Sequence, residues 1–189
     1  MLIAYTLSAE KRVGRDLLIE EYLSVMAGGD ISAMKDLYEL IRTDVYAFAL
    51  SKTAKRDVAE DITHDTFVQV YKNAPLYKPQ GKPLAWIFTV EMNLIKRYYA
   101  VSSRSVSLDE AIKPDAVGED FSQDVVNSRF LEEVMRVLDE EERTIITLHV
   151  NSGLKHREIA KLLNRPLSTV LSKYARAIKK LKVKIKEGD

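Results

Sequence analysis

The sequence predicts an all-α protein: two small helical domains joined by a flexible acidic linker, the second a helix-turn-helix domain. Three observations carry this. Apolar residues recur every three or four positions through most of the chain, the spacing of one helix face. Prolines and glycines gather between those stretches rather than inside them. The net charge of +1 conceals an uneven distribution: residues 1–100 carry 13 basic and 13 acidic side chains, 101–128 carry 2 and 6, and 129–189 carry 14 and 9. Within 154–186 there are 11 basic residues and one acid, Glu158.

Residues 1–18 form an N-terminal extension, either a short helix packing on the first domain or a disordered lead. The first helical domain spans 19–100. Ile19 to Ala27 reads as a helix stopped by Gly28-Gly29, with Asp30 or Ser32 placed to cap the next. That helix carries Met34, Leu37, Tyr38, Ile41, Val45, Phe48 and Ala49 on one face. Arg56 to Asn73 repeats the pattern with Val58, Ile62, Phe67, Val70 and Tyr71. Ala74 to Pro83 holds three prolines and a glycine and must be a loop. Leu84 to Tyr99 resumes as a helix.

The linker, 101–128, has sparse apolar residues and no sustained period. The second domain, 129–189, reads as helices over Phe130–Leu138, Glu141–Val150, Arg157–Leu163 and Ser168 to about Lys186. Turns fall at Asn151-Ser152-Gly153 and Asn164-Arg165-Pro166. A short helix, a tight turn and a long basic helix make the helix-turn-helix layout, with Asn164 suited to a left-handed terminus and Ala160 small enough for two helices to cross.

Composition excludes several classes. A hydrophobic content of 46% is too high for a disordered chain. The absence of cysteine rules out disulfides and thiolate metal sites and points to a reducing compartment. No apolar run approaches the roughly 18 residues of a membrane span, and the N-terminus places its apolar residues ahead of its basic ones, the reverse of a secretory signal. The expectation is a soluble, cytoplasmic protein.

Three constellations stand out. In the last helix Val170, Leu171, Tyr174, Ile178, Leu181 and Ile185 form the core face. Its first turns offer Ser168, Thr169, Ser172, Lys173 and Arg176 to phosphates or base edges in a major groove, with Arg165 and Lys180 at the flanks. Asp57, Glu60, Asp61, His64 and Asp65 cluster on one helix. A metal reading of Glu60 and His64 competes there with a solvated acidic face near a helix N-terminus and with an acidic docking surface. From Leu76 to Arg104, Tyr77, Trp86, Phe88, Tyr98 and Tyr99 interleave with Lys78, Lys82, Lys96, Arg97 and Arg104, as single-strand binding requires, although Trp86 and Phe88 also suit a core. No phosphate loop, nucleophile elbow or paired-acid site is visible, so no catalytic, cofactor or metal site is expected.

Together these features resemble a bacterial RNA polymerase sigma factor of the extracytoplasmic-function (ECF) class, from about Ile19 to Lys182. The resemblance rests on Asp57–Tyr71, on Trp86–Arg97, and on Leu138–Arg143, Gly153-Leu154, Glu158-Ile159-Ala160 and Pro166–Lys173. It implies core RNA polymerase, promoter DNA and an anti-sigma factor as partners. Asp61, Thr63, His64, Asp65 and Phe67 would dock on polymerase, with His64 where the family usually has Gln and Asp65 where it has Glu. Leu76, Tyr77, Lys78 and Lys82 would line a loop holding a flipped base, with Asn93, Lys96 and Arg97 contacting the minus-ten element. Lys96 replaces a common Asp, and Glu91 a small residue, which bears on promoter sequence. Arg165, Ser168, Thr169, Ser172, Lys173, Arg176 and Lys180 would read the minus-thirty-five element; Lys155 stands where Ser usually caps. The rivals are a dimeric helix-turn-helix regulator independent of polymerase, which leaves 57–71 and 76–104 unexplained, and a metal-dependent enzyme.

Overall fold

Helix follows helix along the computed structural model, which describes residues 2–105 and 136–187. The N-terminal half is α1 (Leu2–Ala27), α2 (Ala33–Thr53), α3 (Arg56–Asn73) and α4 (Pro83–Ser105). The C-terminal half is α5 (Glu140–Ile146), α6 (His156–Leu162) and α7 (Leu167–Glu187). No strand occurs among the described residues. Most of the linker, and two thirds of the helix expected at Phe130–Leu138, lie outside them.

The extension and the first helix are one element. No proline interrupts 2–27, and α1 runs unbroken to the glycine pair, where Gly29 has φ +90°. Asp30 and Ser32 act differently from expectation: Ser32 has helical backbone and makes no side-chain cap. Asp30 instead accepts the Ser32 N–H at 2.8 Å, closing an Asx turn before α2. The proline-rich loop opens with a 3₁₀ turn, Ala74–Leu76, and α4 begins on Pro83, where a missing N–H costs nothing.

The α2, α3 and α4 faces close over a core that includes fully buried Leu37, Ile41, Val45, Phe48, Ile87 and Phe88; the Phe48 and Phe88 rings meet edge-on at 5.1 Å. Ile19 and Leu23 of α1 join it. Arg15 fixes that helix further, pairing with Asp44 and donating to the Leu40 carbonyl at 3.3 Å. The same apolar cluster continues into Leu148, Leu154, Ile159 and Val170 of the C-terminal half. Polar contacts line this junction: Lys52 Nζ to Glu140 at 2.6 Å, Arg12 to Glu158 at 2.7 Å, and the Ser51 and Thr144 hydroxyls at 3.3 Å.

Within the C-terminal half, α5 starts with a reciprocal capping box. Asp139 accepts the Glu142 N–H at 2.7 Å and Glu142 accepts the Asp139 N–H at 3.1 Å. The expected helix to Val150 is α-helical only to Ile146, then widens into a π-turn over Thr147–Asn151. Every residue from Thr144 to Leu148 is buried. Helix α6 ends in a Schellman motif: Asn164 has φ +51°, its N–H reaches the Lys161 carbonyl, and the Arg165 N–H reaches Ala160 at 2.9 Å.

Glu91 sits inside the core. Its side chain is fully buried, and neither oxygen meets hydrogen-bond geometry with a described residue. Burial drives its pKa well up; the nearby Ala49 backbone offsets part of this and the Asp44 carboxylate adds to it. It therefore offers no exposed atom for contact with DNA. Because the folded state keeps the proton that the unfolded chain releases above about pH 4.3, stability falls as pH rises from there. Glu91→Leu is expected to raise stability by about 1–3 kcal/mol at pH 8, with a smaller gain at pH 4. Thermal melts across that range check this; a variant no more stable than wild type at pH 8 contradicts it.

Candidate nucleic-acid interface

Helix α7 sorts its polar residues into two faces. Lys173 and Lys180, with Arg165 ahead of the helix, lie on the side toward α5. Lys173 Nζ is 2.9 Å from Glu141 and 3.2 Å from Asp139, Lys180 Nζ is 2.6 Å from Glu142, and Arg165 Nε is 2.7 Å from Glu141. The acids belong to the N-terminus of α5, where the macrodipole also favours them. These pairs hold α7 to α5; Lys173 is largely covered by them, whereas Arg165 and Lys180 remain exposed to solvent. Ser168, Ser172 and Arg176, spaced every four residues, are exposed on another side, and Arg176 has no acidic partner among the described residues. Thr169 is half-buried. Two expected core residues, Leu171 and Ile185, are exposed, whereas Ala177 is fully buried in their stead; a small side chain there lets α7 approach Leu138 and Ile146.

Burial alone would raise the Asp139 carboxyl, but the Glu142 N–H and the Lys173 ammonium outweigh it and the net shift is downward. The Lys173 hydrogen bond, against burial and with help from Arg165, likewise lowers Glu141. Lys173 is itself raised, mainly by Glu141.

The turn into α6 lacks a capping hydroxyl, since Lys155 has only donors on its side chain. Glu158 compensates by accepting the Lys155 N–H at 2.8 Å. His149 and His156, seven apart in sequence, come together: their rings stack at 4.2 Å, with Tyr174 edge-on to both. His149 Nδ1 lies 2.8 Å from the Leu154 carbonyl. Burial, then the neighbouring His149, lowers the His156 pKa.

On α4, Asn93, Lys96 and Arg97 are exposed. Leu76 is 73% exposed, and Lys78 and Lys82 are exposed beside it. Lys82 Nζ approaches Glu158 at 3.7 Å. Tyr77 is half-buried, its ring 5.0 Å from that of Trp86. Phe88 is core and offers no face to a base, whereas Tyr99 is exposed, its hydroxyl donating to the Lys52 carbonyl at 2.6 Å. The Arg104 side chain lies outside the described residues.

On α3, Asp57, Glu60, Asp61, His64 and Asp65 form an exposed row. Thr63 and Phe67 do not belong to it. Thr63 is buried with its hydroxyl donating to the Ala59 carbonyl at 2.7 Å, and Phe67 is buried against Tyr38, rings 4.8 Å apart. Among the described residues the ion-pair partner of His64 is Asp65, at 3.9 Å. No group of three or more His, Cys, Asp or Glu among the described residues is placed to hold a metal. No described helix is long and apolar enough to cross a membrane.

These surfaces define a two-part helical protein whose second part carries a helix-turn-helix with one free polar-basic face. Residues 37–105 match the family model for Sigma-70 region 2, and residues 130–181 match Sigma-70 region 4. The chain is 26% identical over 160 residues to the ECF RNA polymerase sigma factor SigM of Bacillus subtilis (81% of this chain, 95% of that protein). It is 25% identical to the ECF RNA polymerase sigma-E factor of Haemophilus influenzae (83% and 89%). Among solved structures, CnrH in complex with the cytosolic domain of CnrY superposes with TM-score 0.64 at 18% identity (91% and 99%). The sigma factor RpoE in complex with the anti-sigma factor NepR, from Bartonella quintana, gives 0.60 at 25% (80% and 96%). The chain belongs to the sigma-70 family, in its ECF class.

Arg12 and Glu158, which pair across the junction at 2.7 Å, are joined by packing between elements and not by a pattern along the chain. The one available signal was Glu158, the lone acid in a basic tract. Lys173→Ala is expected to cost about 0.5–1.5 kcal/mol, a partly exposed pair being discounted for screening. The contribution of Asp139 and Glu141 is present above the usual carboxylate pKa, about 4, and is lost as pH falls below it. Melts of wild type and Lys173→Ala should therefore differ at pH 7 and converge toward pH 3. Equal melts at pH 7 would show that the pairing contributes nothing.

Proposed function

We propose that this chain works as a sigma factor through the particular surfaces described above, binding core RNA polymerase, directing it to specific promoters and helping to melt DNA. The observation that carries this reading is the sorting of α7: one face is neutralised by α5 while Ser168, Ser172 and Arg176 stay exposed on another. The part spanning 19–100, together with the extension that α1 makes continuous with it, would dock on polymerase and read the minus-ten element. The part spanning 129–189 would read the minus-thirty-five element, with 101–128 as linker. The acidic linker, repelled by DNA phosphate, would run along a positively charged channel of the polymerase.

The exposed α3 acids, Asp61 and Asp65 with His64 between them, would meet a basic polymerase surface. Asn93, Lys96 and Arg97 would contact the minus-ten strand while the loop 76–82 captures an unstacked base, offsetting part of the cost of opening the stack. Polymerase performs the nucleotide chemistry, so the chain itself is not an enzyme, and it acts in the cytoplasm where transcription occurs. An anti-sigma partner is supported by the Bartonella quintana relative, whose structure was solved with one. A stand-alone dimeric regulator is not favoured, because it gives no role to the region 2 match.

Run-off transcription with purified core polymerase tests the reading: promoter-specific transcripts should appear only when the protein is added, and DNA binding without transcripts would sink it. In holoenzyme binding assays, Arg176→Ala should reduce the salt slope of promoter affinity by about one while leaving the melt unchanged. An unaltered slope would remove Arg176 from the DNA face. Asp61→Lys should weaken capture of core polymerase without changing duplex binding by the free protein, a loss of both pointing to misfolding instead.

A further inference from the structure

The loop proposed to capture a base is held from outside the region 2 match. Glu20, on α1, accepts two hydrogen bonds at one carboxylate oxygen: from the Tyr77 hydroxyl at 2.7 Å and from the Gly81 N–H at 2.9 Å. The donors stand four residues apart, so a single atom pins both ends of Tyr77–Gly81. Gly81 has φ +66°, a conformation most other residues resist. Between the pins Lys78, Pro79 and Gln80 are exposed, and Leu76 leads into them.

The pin is rigid at its root. Ile19 and Leu23, flanking Glu20 on α1, are fully buried in the core, and Arg15 ties the same helix to α2. On the loop side, the Tyr77 ring rests against Trp86 at the start of α4. Burial, with the Glu20 hydrogen bond second, pushes the Tyr77 phenol far above its ordinary range, so it remains a donor at any working pH. A loop of five residues that had to order itself around a base would lose binding energy to conformational entropy; one already closed on α1 does not.

We propose that Glu20 is a positioning residue: it touches no DNA, and through Tyr77 and Gly81 it presets the loop that receives an unstacked base of the promoter strand. The proposal rests on the base-capture reading above. It separates Glu20 from the basic residues that attract DNA, because a carboxylate facing the phosphate backbone would repel it, whereas one occupied by two donors shapes the loop from behind.

The test uses holoenzyme and a single-stranded oligonucleotide recovered from a random pool by the wild-type holoenzyme, together with copies carrying one abasic site at each position in turn. The position where wild type loses most affinity marks the captured base. Glu20→Ala should bind the intact oligonucleotide about tenfold more weakly, the scale of ordering about one loop residue at the moment of binding, and should bind the critical abasic copy as wild type does. Glu20→Gln, which keeps an acceptor oxygen, should restore most of the discrimination, and Tyr77→Phe, which loses one donor, should fall between. Equal losses on intact and abasic strands, or no loss on either, would overturn the positioning role. Indifference of wild type to every abasic site would instead overturn the base-capture reading, and the proposal with it.

Discussion

Glu158 is a carboxylate with 8% of its surface exposed, and the three groups that hold it come from separate parts of the chain. The Lys155 N–H lies one turn before it, Arg12 reaches it from α1, and Lys82 approaches from the loop before α4. An unpaired carboxylate so placed would be costly. Its burial does press the pKa upward, yet Lys155, Arg12 and Lys82 reverse that and leave it lowered. The same side chain thus starts α6, where its capping contact replaces a missing hydroxyl, and sets α6 against α1. Gly153 belongs to this arrangement: it has φ +70°, and the Arg12 side chain passes 3.8 Å from where a Cβ would stand. The apolar core crosses between the halves directly behind these contacts, through Leu148, Leu154 and Ile159.

A second constraint is the charge on α7. Twenty-one residues of strongly basic helix cannot lie on a neutral neighbour without leaving ammonium groups partly desolvated, and α5 supplies the acids that prevent it. Its first turn contains Glu140, Glu141 and Glu142 behind the Asp139 cap. Glu142 is therefore shared between capping α5 and pairing with Lys180, and Glu141 between Lys173 and Arg165. Neutralising the inward face by side-chain pairing leaves the helix electrostatically one-sided, so its remaining positive charge points to solvent. This is how a chain of net charge +1 can still present a cationic face.

Periodicity carried most of the fold. The apolar spacing of α2, α3 and α4, the glycine pair after α1 and the Asn164 terminus follow from local rules that tertiary contacts do not override. Boundaries and faces were less legible. α1 extends through residues 2–18 because nothing there stops a helix, but apolar spacing is weak in that stretch, so pattern alone left it open. Thr63 and Phe67 belong to the docking motif by residue type, yet both are buried, Phe67 against Tyr38 of α2. Lys173 and Arg176 look alike in sequence, three apart on one helix. Only the position of α5 shows that one is an internal partner and the other free. His149 with His156, and Glu20 with Gly81, are joined by packing between elements, which spacing along the chain does not encode.

The junction between the halves bears on the proposed function. Elements named for positions ten and thirty-five are separated by about 25 base pairs, roughly 85 Å of duplex at about 3.4 Å per pair. A compact chain of this length has a radius of gyration of about 16 Å, so the two faces proposed to read them could not meet both elements while Arg12 and Lys52 hold the C-terminal half in place. Engaging both requires those contacts to be released. The contacts to be given up are few and mostly ionic at the rim, where phosphate or polymerase carboxylates can replace the partners of Arg12 and Lys52. The buried Leu148 and Leu154 surface is the larger cost. Binding to polymerase would have to offset it, which makes a closed free protein and an open bound one a consequence of the same interface.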